Sequence, residues 1–150
     1  MTLTDNLASA PAEFTDGPPE TPVPRVVVAV DARPSSAAAL ACAADEALCR
    51  GIRLRIVTAF ADPDSPQLPK TVEQAMRCQQ WLLEELESRR PWLDQAESIM
   101  RRSSLRSLIR EATAPGDLLV IGQGADVSAI HASQRARCPV VIVPPVPATP

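Results

Sequence analysis

Four short apolar runs constrain this chain more than any other feature: RVVVAVD at 25–31, RLRIVTAF at 53–60, DLLVIG at 117–122 and PVVIV at 139–143. A continuous β-branched run such as the first suits a strand covered on both faces, not one wetted on alternate residues. Between the runs the apolar spacing becomes helical. Leu40, Ala44, Ala47 and Leu48 recur every three or four residues from Ala37, and Gly51 supplies a stop. Thr71 and Gln74 form a T-x-x-Q capping box, after which Val72, Ala75, Met76, Leu82, Leu83 and Leu86 mark a helix face ending near Arg89–Pro91. Glu97–Arg101 reads as a further strand, and Leu105, Leu108, Ile109 and Ala112 as a short helix closed by Pro115-Gly116. With one more short helix between Gly122 and Pro139, the order is β-α-β-α-β-α-β-α-β. That alternation predicts an α/β fold with a doubly wound, five-stranded parallel sheet and helices on both faces.

At 150 residues the chain holds one domain with a real core. Residues 1–24 carry Pro11, Pro18, Pro19, Pro22 and Pro24 with few large apolar groups, the composition of a disordered Pro-rich tail. Residues 145–150 repeat that composition, which leaves 25–144 as the folded unit. A net charge of −3 and a pI near 5.2 offer no attraction to nucleic acid or to an anionic membrane. No apolar run is long enough to span a bilayer and no basic leader precedes one, so a soluble, cytoplasmic protein is expected.

The cysteines Cys42, Cys49, Cys78 and Cys138 form no C-x-x-C, and the single histidine, His131, lacks a metal-binding partner motif, so no metal is expected. On one helix Cys42 and Cys49 would lie about 10 Å apart, beyond the roughly 7 Å that a disulfide spans. All four are expected as reduced, buried hydrophobes, with redox sensing at Cys138 a lesser alternative. Trp81, Trp92 and Phe60 are expected to serve as core or loop-covering aromatics. Arg101, Arg102, Arg106 and Arg110 are expected on a solvated face.

In sheets of this kind ligands bind beyond the carboxyl ends of the strands, where strand order reverses. The loops to read are therefore DARPSS after the first strand and GQGAD after the fourth. Neither contains G-x-G-x-x-G or G-x-x-x-x-G-K-[ST], and no G-x-S-x-G elbow exists, so no catalytic residues are expected. Asp31 either caps the following helix at the backbone N–H groups near Ser35 and Ser36, or faces a ligand.

The segments VVVAVDARPSSAAALACAADEALCRGIRLRIVTAF, APGDLLVIG and RCPVVIVP together resemble the universal stress protein family over Arg25 to Pro144. The resemblance implies a Rossmann-like sheet of order 3-2-1-4-5 and a homodimer. In a subset it also implies ATP bound by an Asp at the end of the first strand and a G-x2-G-x9-G-[ST] loop. Asp31 then faces ribose or a phosphate-bound metal, and the backbones of Ala59 and Ile121 flank adenine. Gly122 is the first loop glycine. Ala125 occupies the second glycine's place with Gly124 displaced by one, and Ser128 stands for the phosphate-binding serine.

The loop is short of that motif by roughly two helical turns of residues at about 3.6 per turn. Asp126 puts a carboxylate where a triphosphate would sit, and Arg135 and Arg137 lead away on the next segment. Fewer backbone N–H groups converge on phosphate. The expectation is a non-catalytic regulatory or binding module in stress response, without tight ATP binding and acting on an unknown protein partner. The alternative is a sensor of ATP or AMP. Val140, Val141, Ile142 and Val143 form an edge strand expected to pair across a two-fold axis, terminated by Pro144 and Pro145.

Overall fold

The computed structural model describes residues 23–66, 68–123 and 134–144. The elements are β1 (Arg25–Ala29), α1 (Ser35–Arg50), β2 (Arg53–Phe60), α2 (Val72–Glu87), a 3-10 turn (Pro91–Gln95), β3 (Glu97–Arg102), α3 (Leu105–Ala112), β4 (Leu118–Gly122) and β5 (Val140–Val143). All pairings are parallel and the sheet order is β3-β2-β1-β4-β5, the expected 3-2-1-4-5. The helix expected between Gly122 and Pro139 falls on residues 124–133, and the tails on 1–22 and 145–150, outside the described ones; residues 134–138, with Arg135 and Arg137 expected on that helix, form turns and bends instead.

β1 is the centre of the sheet, and its side chains alternate between two cores. Val26, Val28 and Val30 join Leu40, Ala43, Ala44, Leu54, Ile56, Leu82 and Leu93 under α1 and α2. Val27 and Ala29 join Val57, Leu105, Leu108, Ile109, Leu119 and Ile121 under α3. Val26, Val27 and Val28 expose none of their surface. Each such side chain contributes about 1.5–3 kcal/mol by leaving water, which is why this run tolerates no polar residue on either face.

The helices begin and end for local reasons. α1 closes at Gly51, whose φ of 66° is left-handed and whose N–H reaches the carbonyls of Ala47 and Leu48. α2 starts at Thr71, whose hydroxyl accepts from the Gln74 N–H at 3.1 Å, and Gln74 returns its side-chain oxygen to the Lys70 N–H at 2.8 Å. The face of α2 is narrower than the sequence implies. Ala75, Gln79 and Leu82 are buried, whereas Val72, Met76 and Trp81 are exposed. Gln79 replaces them because Thr58 on β2 offers it a buried hydroxyl at 2.8 Å. Trp81, 58% exposed, is therefore no core aromatic, while Trp92 is half-buried with its indole N–H donating to the Ala44 carbonyl at 3.1 Å. Cys49 is exposed and the other three cysteines are half-buried, so the expectation of four buried thiols is met fully by none of them and fails outright at Cys49. It lies at α1's last turn, past the part of the helix that the sheet covers.

The two sheet edges differ. β3 carries Glu97, Arg101 and Arg102, all exposed, with Arg102 over the Phe60 ring at 5.8 Å. β5 carries only Val and Ile, with Val141 and Ile142 exposed.

One close contact locks α1 to β4. A Cβ placed on Gly122 would lie 2.6 Å from the Ser35 carbonyl oxygen and 2.8 Å from its carbonyl carbon and Cβ. Backbone on both sides leaves nothing to yield cheaply. Gly122→Ala is expected to lower the unliganded protein's stability by about 1–3 kcal/mol, read as a fall in urea midpoint at unchanged m-value. An unchanged midpoint would mean that the approach is not tight in solution.

Candidate functional site

The carboxyl edge of the sheet brings together the ends of β1, β2 and β4, and Asp31 stands at its centre. β1 stops at Ala29, two residues earlier than the apolar run suggests, because the chain changes hydrogen-bonding partner there. The Val30 N–H closes the last rung on the Val57 carbonyl at 3.0 Å, and the Asp31 N–H then donates to the Ser36 hydroxyl at 2.8 Å.

The Asp31 carboxylate is 4% exposed and fully engaged. Oδ1 accepts from the Arg33 backbone N–H at 2.8 Å and from the Ser36 hydroxyl at 3.1 Å. Oδ2 accepts from Arg33 Nε at 2.9 Å and Nη2 at 2.6 Å. A carboxylate offers about four acceptor positions, so the group has none to spare. It does not cap α1. The N-cap is Pro34, which makes no side-chain cap, and the Ser36 N–H bonds the Arg33 carbonyl at 3.0 Å. Arg33 and Ser36, which complete this cluster, were not legible as site residues in DARPSS. The only sequence signal was that each lies within five residues of Asp31.

The two residues expected to flank adenine by their backbones part company. In a parallel ladder alternate residues turn N–H and C=O to opposite neighbours. Val57 faces β1, so Ala59, two residues on, directs both groups past the point where β1 leaves the sheet. Leu119 donates to the Pro139 carbonyl at 3.0 Å and Gln123 to the Val143 carbonyl at 2.7 Å, so Ile121 between them faces β5 and spends its groups in that ladder. Ile121 therefore has no backbone group turned to the site, a correction to the expectation. Gly122 is buried as the last residue of β4, and its glycine is explained by the packing of Ser35. Gly124 and Ser128, with Ala125 and Asp126, lie outside the described residues.

Beside Asp31 the loop after β2 folds back. Ala61 takes a left-handed φ of 65° and donates its N–H to the Pro69 carbonyl at 2.7 Å, which pins the two ends of the loop together. The loop, Ala32 and α2 border an open cleft of about 340 Å³ lined by Pro66, Leu68, Lys70, Gln74 and Cys78. Burial first, and the Asp31 carboxylate second, push the Cys78 thiol up to about 11. Burial first, then Asp117, also push the Cys138 thiol up, against a smaller lowering by the Leu119 backbone. A redox-sensing thiol needs the opposite shift. Among the described residues no group of three or more His, Cys, Asp or Glu side chains could hold a metal ion, and no helix is long and apolar enough to cross a membrane.

These thiols make a graded probe of the site. At pH 8 only about a thousandth of a thiol with a pKa near 11 is thiolate, so Cys78 is expected to alkylate far more slowly than exposed Cys49. Mass spectrometry of iodoacetamide-treated native protein reads the order directly. Cys78 reacting as fast as Cys49 would show that the thiol itself is not buried.

No family model matches the sequence, and no curated protein matches it. Solved structures do match the fold. The universal stress protein from Archaeoglobus fulgidus superposes with a TM-score of 0.58 at 20% identity, over 80% of this chain and 93% of that one. Its complex with dAMP gives 0.57 at 21%, over 81% and 97%. A universal stress protein in complex with cAMP gives 0.53 at 23%, over 84% and 100%. With the sheet order and the carboxyl-edge site already described, these matches give the chain the universal stress protein fold.

Proposed function

We propose that the chain is a non-catalytic binding or regulatory module of the universal stress protein type, working in the cytoplasm in stress response and without tight ATP binding. One observation carries this reading: the Asp31 carboxylate, the group a ribose would need, is saturated by Arg33 and Ser36. A ribose hydroxyl must displace Arg33 or Ser36 from a buried carboxylate, and in exchange for the guanidinium it offers a hydrogen bond in which only the acceptor is charged. The shortened glycine loop adds few N–H donors for phosphate.

A second reading, a sensor of ATP or AMP, is favoured by a specific feature. Ala59 turns its N–H and C=O past the end of β1, as a donor and acceptor for a purine edge. Two proteins of like fold hold dAMP and cAMP, each with a single phosphate. A monophosphate asks less of the loop than ATP does.

Assembly follows from the β5 edge. Val141 faces β4 in the ladder, so Val140 and Ile142 turn their N–H and C=O outward, and exposed Ile142 stands mid-strand. We propose a homodimer that pairs two β5 strands across a two-fold axis, removing an uncharged edge from solvent.

Two experiments test these readings. A ligand at a concentration equal to its Kd stabilises by about 0.4 kcal/mol, so millimolar Mg-ATP is expected to raise Tm by no more than about 2 °C. A rise of several degrees that vanishes in Asp31→Ala would overturn the closed-site reading. Arg33→Ala is expected to cost about 1–3 kcal/mol of stability yet to respond more to AMP than the wild type does. For the dimer, light scattering is expected to show two copies in the wild type. Ile142→Pro should give a folded monomer by deleting an outward N–H, whereas Val141→Pro should lower stability by breaking the ladder to β4. A monomeric wild type at tens of micromolar, about the working concentration of such measurements, would remove the interface.

A further inference from the structure

The amino border of the sheet, at the end opposite to Asp31, gathers arginines. Arg25 opens β1 and Arg53 opens β2, and the two are register partners. Strand alternation puts both on the face of Val27 and Val57, under α3. Two guanidinium groups side by side repel. The last turn of α3 reaches the same end, because Arg55 near the start of β2 donates to the Ala112 carbonyl at 3.1 Å, and that turn carries exposed Arg110. Exposed Arg135 and Arg137 lead into the start of β5.

The carboxylates near this border are engaged elsewhere. Glu97 holds Arg55 at 3.0 Å, and Glu111 lies 3.9 Å from Arg101. Asp117 is buried and accepts from the backbone N–H groups of Arg25 and Ala114, both at 2.9 Å. Among the described residues Arg25, Arg53, Arg110, Arg135 and Arg137 join none of the ion pairs, which use Arg33, Arg50, Arg55, Arg90 and Arg101. Five cations thus share one border without internal neutralisation, in a chain whose net charge is −3.

We propose that this border docks an extended acidic segment of a protein partner. From β2 through β1 and β4 to β5 is three strand spacings, about 15 Å, which an extended peptide covers in about four or five residues. Arginine suits the task, since its planar guanidinium pairs a carboxylate bidentately and gives up water more readily than an ammonium does. Nucleic acid fits the border less well. The net negative charge repels a long polyanion, and no aromatic residue interleaves the arginines in 24–28, 51–55, 108–112 or 134–138 to stack on bases. The proposal rests on the reading of the chain as a binding module and names its partner's chemistry. The Asp31 end plays no part in it, so nucleotide titration and the experiment below fail separately.

The test uses the full chain and a fluorescent hexaglutamate peptide, with hexathymidylate as the competing polyanion. Saturable binding of the peptide is expected at low salt, weakening as salt is raised, with NMR amide shifts confined to the amino border. Arg53→Glu with Arg110→Glu is expected to raise Kd by about tenfold or more, and Arg53→Gln with Arg110→Gln to do so by less. Arg77→Glu with Arg89→Glu changes the net charge equally on exposed positions at and beyond α2, and is expected to leave Kd within about twofold. The amide shifts are read in the unsubstituted chain, where folding is not in question. No saturable binding, shifts spread away from the border, or equal weakening by both glutamate pairs would overturn the proposal. Tighter binding of hexathymidylate, lost with Arg53→Glu and Arg110→Glu, would assign the border to nucleic acid and overturn it equally. So would low-salt self-association abolished by that pair, which would assign it to a second copy.

Discussion

The structure depends on β1 being buried on both faces. A strand with Val26 and Val28 in one core and Val27 and Ala29 in the other can sit only in the middle of a sheet with covering layers above and below. Its parallel neighbours then require crossover connections, and the right-handed rule sends α1 to one face and the later crossover to the other. The strand order reverses beside β1, between β2 and β4. A site at the carboxyl end of β1 is therefore a consequence of hydrophobic burial before it is a matter of any ligand. The same geometry brings the start of α1 against the end of β4, where only glycine fits.

That packing role changes the meaning of a retained motif residue. Gly122 answers to the first position of a phosphate-binding loop, but Ser35 alone is enough to demand it. Asp31 shows the same separation. In a ligand-binding arrangement its carboxylate would be an open acceptor, whereas here it organises its own loop, tying Arg33 and Ser36 into one buried cluster. Residues that look like a binding signature can persist because folding uses them.

Every strand and the alternation with helices could be read from the residues, since apolar runs and helical spacing report burial, and burial decides the layers; the sheet order was implied by the family resemblance alone. The limits of β1 and the face of α2 could not be read. β1 ends at Ala29 because the Asp31 amide prefers the Ser36 hydroxyl, a choice between hydrogen-bond partners to which hydropathy is blind. Gln79 is buried because Thr58 lies opposite, a pairing between elements far apart in sequence, while Trp81 is exposed because α2 covers only a narrow strip. At the site, Asp31 and Gly122 were legible as the opening residues of loops at strand ends, and Ala59 only through the family resemblance. The occupancy of Asp31 by Arg33 and the different orientations of Ala59 and Ile121 were not, because rotamer choice and ladder parity appear only once the register is set.

The unlike edges of the sheet bear on how large an assembly can grow. Two copies joined along β5, the pairing proposed above, would make one continuous sheet of ten strands, since each copy supplies five. Its outer borders are both β3, where Glu97, Arg101 and Arg102 present charge along the free backbone. A third copy would have to bury those charges to extend the sheet, and its own β5 would meet no apolar partner. In the β5 pairing proposed above, the apolar edge takes a single neighbour and the charged one takes none, so the sequence of an unremarkable border strand would hold such an assembly at a closed pair and keep it from becoming a fibre.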